Sequence, residues 1–279
     1  MKHPFQNVSI LGGGLLGGSL ALALKEEARL WARRDETAQK ARHLGIAGAS
    51  SDLSEVSKDC QLLILAVPVG AMADLLKHAI AAGLPEDCLI TDVGSVKGLP
   101  HQTLLPLVEG SSRHFIGSHP MAGSEQGGID AAKADLFQGA ACLLTNDGNA
   151  PAELAEKLEA FWQQIGCRTR WMDAAGHDSL VARISHLPHV LAAAAARTCL
   201  ETPADGAFGG GGLRDTTRVA GGNVDMWTEI LLENKEALMA PLQRSIDDLI
   251  QFMRILDAKD QEAARQWLEA AKDRRDSLQ

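Results

Sequence analysis

The chain has 279 residues, 46% of them hydrophobic and 23% charged, with a formal net charge of −9 at pH 7. That length and apolar content suffice for a large core and two domains, which excludes a disordered chain. The acidic balance, with no sustained basic run, argues against nucleic acid as a partner.

Five cysteines, Cys60, Cys88, Cys142, Cys167 and Cys199, are scattered, odd in number and never in a C-x-x-C spacing. They suggest neither a disulfide framework nor a zinc site, and a reducing cytoplasm fits them best. Met1 to Leu11 lacks the apolar core of a signal peptide, and the apolar run from Leu187 to Ala196 is too short to span a bilayer, so no membrane partner is expected. The chain contains no tyrosine, which excludes dehydrogenases that move protons with a Tyr/Lys pair.

In chain order, Val8 to Leu11 reads as a short buried strand, followed by Gly12-Gly13-Gly14-Leu15-Leu16-Gly17 and then an Ala/Leu-rich segment of good helix propensity. In this strand, turn and helix, Gly12 permits the sharp turn, Gly14 leaves room for a pyrophosphate, and Gly17 lets the helix pack closely on the strand. The helix N-terminus then offers free N–H groups to the phosphates. A tight packing turn without a ligand has the same glycines. Position between a strand and a helix favours the dinucleotide, with Gly12, Gly14, Leu15, Leu16 and Gly17 as cofactor-binding residues.

Ala28 to Ala32 is a second strand that ends in Arg33-Arg34-Asp35. An acidic side chain here suits the ribose hydroxyls of NAD, and an arginine the 2′-phosphate of NADP. Arg33 and Arg34 therefore favour NADP, with NAD still possible; the alternative is a solvated loop with Asp35 as the acid. Gln61 to Pro68 is a continuous apolar run, as expected of a parallel strand buried on both faces, and brings Val67 and Pro68 to the cofactor edge. Leu89 to Asp92, Phe115 to Gly117 and Ala141 to Thr145 repeat the pattern, with a helix over Ala71 to Ala82, and a last strand near Arg168 to Met172 is expected after a helix over Pro151 to Ile165. The alternation predicts a doubly wound, Rossmann-type α/β domain over residues 1–173.

Beyond Asp173 the strand signals stop. Asp178 to Leu200 predicts one long apolar helix kinked at Pro188, Val224 to Leu256 a second helix, and Asp260 to Lys272 a last one. Residues 174–279 thus read as an all-α domain. Gly206 to Gly212 reads as a mobile loop within it. The segment Ser179 to Ala196 is apolar almost all round, a pattern that requires burial on every side and implies a homodimer formed by this half.

Ligands of an open α/β sheet bind beyond the carboxyl ends of its strands. Asp92-Val93-Gly94-Ser95-Val96-Lys97 and Gly117-Ser118-His119-Pro120 fall there. His119, near its usual pKa of ~6.5, is the natural proton acceptor for a hydroxyl being oxidised, and Ser95 is placed to hydrogen-bond it. On position alone His119 is equally a loop histidine and Ser95 a helix N-cap. His186 and His189 share a helix face at a spacing also used for metals, but no third ligand is evident and none is expected to be bound. Arg214 and Arg218 flank the glycine run, where an arginine suits a carboxylate or a surface ion pair.

Taken together, Asp92 to Lys97, Gly117-Ser118-His119-Pro120-Met121-Ala122-Gly123, Ser185-His186-Leu187-Pro188, Leu213-Arg214-Asp215-Thr216-Thr217-Arg218 and Glu233-Asn234-Lys235 resemble the prephenate/arogenate dehydrogenases of tyrosine biosynthesis. The resemblance runs from Val8 to the C-terminal helix. It implies a nicotinamide-binding domain followed by a helical dimerisation domain, and oxidative decarboxylation of a cyclohexadienol, prephenate or arogenate. By the same likeness His119 is the catalytic histidine, Ser95 its hydrogen-bonding serine and Arg218 the arginine on a substrate carboxylate, while Ser124, Glu125 and His189 line the pocket. Arg33-Arg34 departs from the NAD-dependent members, which carry an acidic residue there. A β-hydroxyacid dehydrogenase shares the two-domain plan but places a catalytic lysine on the long helix, and no lysine occurs here between Lys157 and Lys235. A non-catalytic dinucleotide-sensing module would have no use for His119, Ser95 and Arg218 together.

Overall fold

The structure, a computed structural model, describes residues 4–123, 126–202 and 204–278. Strands β1 (Val8–Leu11), β2 (Ala28–Trp31), β3 (Gly48–Ser50), β4 (Leu62–Leu65), β5 (Leu89–Asp92) and β6 (His114–Phe115) form a parallel sheet in the order β3-β2-β1-β4-β5-β6. Helices α1 (Leu15–Leu24), α2 (Asp35–His43), α3 (Leu53–Ser57), α4 (Val69–Ala81) and α5 (Gly98–Val108) follow strands β1 to β5 in turn. Every residue of β1 and β4 is buried, because both faces of the sheet are covered. Alternate side chains of these strands enter opposite layers: Val8, Ile10, Leu62 and Ile64 join one apolar cluster, and Leu11, Leu63 and Leu65 the other. Each such Leu or Ile contributes ~1.5–3 kcal/mol relative to exposure. Strand order reverses between β1 and β4, and the crevice at such a switch point is where ligands lie.

The last strands leave this sheet. β7 (Gly117–Pro120), β8 (Ala141–Thr145) and β9 (Arg168–Met172) form a separate three-stranded sheet in which β7 runs antiparallel to β8 and β8 parallel to β9. The apolar reading of Phe115 to Gly117 as one strand spans the crossing point. Ile116 there is fully buried, so hydropathy is continuous across the change of sheet. Gly117 is required by close approach: a Cβ on it would lie 2.4 Å from Thr145 Oγ1 and 2.9 Å from Lys97 Cδ. Helix α6 (Ala152–Ile165) buries Leu158, Phe161, Trp162 and Ile165, the i, i+3, i+4, i+7 stripe of an amphipathic helix, and ends on Gly166 at φ 105°.

The predicted helix from Asp178 to Leu200 is three segments: α7 (Ala174–Val181), a π-helical stretch Ala182–His186, and α8 (Leu187–Cys199). Pro188 falls in the first turn of α8, directly after the π-helical stretch. The glycine run expected to be a mobile loop instead opens a helix, α9 (Gly211–Thr217), after a 3₁₀ turn over Asp205–Phe208. The helix predicted from Val224 to Leu256 is two. Asn223 caps α10 (Val224–Glu233) through Met226 N at 2.9 Å, and Asn234 ends it before α11 (Lys235–Ala258).

By internal compactness the chain divides into two units, Met1–Asn234 and Lys235–Gln279. The second contains α11 and α12 (Gln261–Asp276), joined by Phe252 against Trp267 at 4.5 Å and by Trp267 Nε1 donating to Asp248 Oδ1 at 3.2 Å.

Candidate active site

The glycine turn is built as a cradle. At Gly12, with φ 136°, a Cβ would sit 2.1 Å from the Ala66 carbonyl oxygen, and at Gly17 one would sit 1.9 Å from the Gly12 carbonyl. Both glycines are therefore required by backbone contact. Around Gly14 nothing lies within 4 Å of a would-be Cβ, the open side that an approaching pyrophosphate needs. Gly14 is also the N-cap of α1 and supplies no side-chain cap, which leaves the first amides of the helix, at Leu15 and Leu16, free for a ligand.

Val67 and Pro68 line the same edge: Val67 Cγ1 lies 3.1 Å from a would-be Gly12 Cβ, and Pro68 caps α4. Arg33 and Arg34 are exposed on the bend after β2, and Gly13 abuts Ala32 and Thr37 on either side of them. Asp35, the alternative acid, is turned to its own surroundings, accepting from Gln39 Nε2 at 2.6 Å and Ser51 Oγ at 3.3 Å.

His119 sits on β7 beside the carboxyl end of β5, since Asp92 Oδ1 accepts the neighbouring Ser118 N–H at 3.2 Å. Its Nδ1 lies 2.9 Å from His177 Nε2, and His177 Nδ1 lies 2.8 Å from Asp178 Oδ1. Both histidines are buried. Burial above all, then His177, Lys97 and His186, pushes His119 well below its ordinary 6.5, so it is a neutral acceptor at physiological pH. Asp178 in turn accepts the backbone N–H of Lys97 at 2.7 Å and of Gly98 at 2.8 Å, capping α5 from a distant helix. Burial pushes its carboxyl up, but His177 and these two N–H groups outweigh it and hold Asp178 below the usual range.

Under this cluster lies a fully buried ion pair, Lys97 Nζ with Asp92 Oδ2, whose carboxylate also accepts Gly94 N at 2.8 Å. Burial lowers Lys97 against the opposing pull of Asp92. Thr91 Oγ1 and Trp162 Nε1 both bond Ser118 Oγ, at 2.7 and 2.9 Å, so the backbone carrying His119 is fixed from β5 and α6 together.

His186 and His189 take separate roles. His186 Nδ1 pairs with Asn234 Nδ2 at 3.0 Å, Asn234 also donates to the Asp178 carbonyl at 2.9 Å, and burial pushes His186 to about 4. His189 stacks on Trp227 with ring centroids 3.6 Å apart and 10° between planes, while Gly222 makes room for both rings. Its Nδ1 is buried without a partner among the described residues. Arg218 begins a 3₁₀ turn, Arg218–Gly221, that packs on α8, the helix carrying His189. On α10, Glu229 accepts Gly70 N at 2.8 Å, and burial together with Glu229 raises Glu233 to about 7.

Ser95 is half-buried in the bend between β5 and α5 and is neither the cap of α5, which starts at Gly98, nor bonded to His119; the Nδ1 partner is His177. Ser124 and Glu125 lie outside the described residues. His177, Asp178 and Trp227 carry no site role in the sequence reading, and Asn234 enters it only within Glu233-Asn234-Lys235. The signal available for the first two was polarity: His177-Asp178 interrupts the largely apolar stretch Ala174–Val181.

An uncapped glycine turn at a sheet switch point, together with a buried, neutral histidine beside the neighbouring strand ends, defines an oxidoreductase of the nicotinamide-dependent class. Residues 20–170 match the family model described as the nucleotide-binding domain of prephenate dehydrogenase, and residues 173–270 match its dimerization domain. The chain belongs to the prephenate dehydrogenase family. It is 34% identical over 269 residues to the cyclohexadienyl dehydrogenase of Zymomonas mobilis, covering 92% of this chain and 90% of that one. It is 31% identical over 282 residues to a prephenate dehydrogenase of Lactococcus lactis, covering 98% and 78%. Among solved structures, prephenate dehydrogenase of Aquifex aeolicus in complex with hydroxyphenyl propionate and NAD+ has a TM-score of 0.89 at 28% identity, covering 100% of both chains. Among the described residues no helix is long and apolar enough to cross a membrane.

Proposed function

We propose that the chain oxidises and decarboxylates prephenate to 4-hydroxyphenylpyruvate, with His119 as the general base. The observation that carries this reading is the His119 ring itself: it is buried, with Nδ1 engaged by His177 and with no hydrogen-bond partner on Nε2 among the described residues. Gly12, Gly14, Leu15, Leu16, Gly17, Val67 and Pro68 hold the dinucleotide, and a nicotinamide ring bound there supplies the hydride acceptor. His119 takes the proton of the ring C4 hydroxyl as hydride leaves C4. The ring carboxylate departs as CO2, its bonding electrons completing the aromatic ring, so no Lewis acid is required. Arg218, with His189, Ser124 and Glu125, holds the substrate, and Ser95 completes the polar lining near the base.

NADP is the preferred cofactor in this reading, with Arg33 or Arg34 on the 2′-phosphate, supported by the engagement of Asp35 elsewhere. Residues 1–173 act as the cofactor half and 174–279 as the substrate and dimerisation half. A homodimer through the helical half is supported by the description of its family model and by the exposed Met239, Ile246, Leu249, Ile250 and Met253 of α11. Arogenate is the second reading, favoured by the relative described as a cyclohexadienyl dehydrogenase, a ring class common to both substrates. Steady-state assays of prephenate and arogenate, each with NAD and NADP, test the whole assignment. Turnover of prephenate with the higher kcat/KM for NADP is expected, and cofactor binding without turnover of either acid would overturn it.

A further inference from the structure

We propose that His177 and Asp178 are positioning residues that set the tautomer of His119, so that its bare Nε2 faces the substrate hydroxyl. The proposal rests on His119 being the base. A neutral imidazole carries one N–H and one acceptor nitrogen, and an ionised carboxylate only accepts. Asp178 therefore obliges His177 Nδ1 to carry a proton across their 2.8 Å contact. His177 Nε2 must then be an acceptor. Across the next contact, 2.9 Å, His119 Nδ1 has to donate, and Nε2 is left unprotonated. The polarity of the whole chain follows from the charge at its far end.

That charge is secured by backbone. The N–H groups of Lys97 and Gly98 point at the two oxygens of Asp178, at 2.7 and 2.8 Å, at the start of the eleven-residue helix α5. Without the carboxylate, His177 is free to flip its sense, accepting at Nδ1 and donating at Nε2. His119 Nδ1 would then accept, and a proton on Nε2 would face the hydroxyl it is meant to deprotonate. The other groups around the ring do not supply this control. Lys97 and His186 oppose a positive charge on His119, and the nearby carboxylate of Asp92 is ion-paired with Lys97. Among the described residues, Asp178 is the carboxylate that reaches the ring through a path of side-chain hydrogen bonds, so the positive charge formed on proton transfer is stabilised along His177 toward it.

The test combines nitrogen NMR of ¹⁵N-histidine-labelled protein, with His119 assigned by its loss in His119→Asn, and pH profiles of kcat and KM for His177→Leu, His177→Gln and Asp178→Asn. In the unaltered protein His119 is expected as the Nδ1–H tautomer. An Nε2–H tautomer there overturns the proposal without any variant at His177 or Asp178. His177→Leu is expected to lower kcat by ~10- to 10³-fold, below the ~10⁴-fold that loss of tautomer control costs a Ser-His-Asp triad, with KM nearly unchanged and a mixed His119 tautomer. His177→Gln, whose amide oxygen still accepts the His119 N–H, should recover most of that loss. Asp178→Asn, which keeps an oxygen for the α5 cap, should move the acid limb to lower pH, because the negative charge favouring the imidazolium is gone. A His177→Leu enzyme with native kcat, acid limb and tautomer would defeat the proposal while leaving the general base intact. A His119→Asn enzyme with native rate would instead defeat the base assignment.

Discussion

The glycine turn is made mostly of backbone within residues 12–17, closed by the Ala66 carbonyl at the end of the neighbouring strand, whereas the His119 cluster draws side chains from β5, the approach to α5, β7, α7, the π-helical stretch and the end of α10. The turn works by what is missing, and added atoms break it. The cluster works by the mutual pairing of its buried polar groups, and removing one member leaves its neighbour unpaired. The chain thus combines a glycine turn that is short-range in sequence with a histidine cluster that exists only in the folded chain.

The variants that probe the difference fall in a clear order. His119→Asn keeps the shape and one hydrogen bond but accepts no proton, and kcat for prephenate should drop by ~10²–10⁴-fold with little change in KM. Lys97→Met leaves Asp92 charged and buried without its partner, which should cost ~3–5 kcal/mol of stability in denaturant titration. With Arg218 on a substrate carboxylate, as proposed, Arg218→Ala should cost ~1.5–3 kcal/mol of substrate binding, so KM should rise by roughly ten- to a hundredfold while cofactor affinity hardly moves. Gly17→Ala drives a Cβ into the Gly12 carbonyl, and overpacking of this kind costs ~1–3 kcal/mol. Titration calorimetry should show the loss in cofactor affinity, with the histidine cluster's pH behaviour preserved in the residual activity.

The smallest effect is set by pH. Glu233 has its folded pKa raised to about 7, so its contribution to stability is present at low pH and is lost as pH rises through 7, where an ionised carboxylate must sit beside Glu229. Glu233→Gln should therefore raise Tm relative to the native chain at pH 8 and not at pH 5. Equal shifts at both would show that the carboxylate is not the cause.

Much of this contrast was legible in the sequence and part was not, for a physical reason. Val8 to Leu11, Leu89 to Asp92 and Ala141 to Thr145 are strands at the residues where hydropathy places them, and the glycine turn is readable because its glycines are clustered between a strand and a helix. The change of sheet at Ile116 was invisible because a buried residue looks the same whichever sheet it serves. Pro188 marks an interruption of the helix, and the interruption takes the form of a π-helical stretch just before it, which hydropathy alone does not distinguish from a regular helix. His119 stands out as the candidate base from its place after a buried strand; its Nδ1 is paired with His177, where a bond from Ser95 is the sequence-based expectation. Nothing in Ala174-Ala175-Gly176-His177-Asp178 announces a contact with β7; that contact exists because Asp178 is held at the start of α5.

The pH dependence of kcat/KM for prephenate, compared between the native chain and His119→Asn, tests the general base most directly. Burial places the His119 pKa below 6.5 in the free enzyme, so native activity should hold through neutrality and fall on an acid limb whose midpoint lies below that value. The residual activity of the variant should lack that limb. A variant that keeps both its rate and its acid limb would contradict the assignment of His119 as the base.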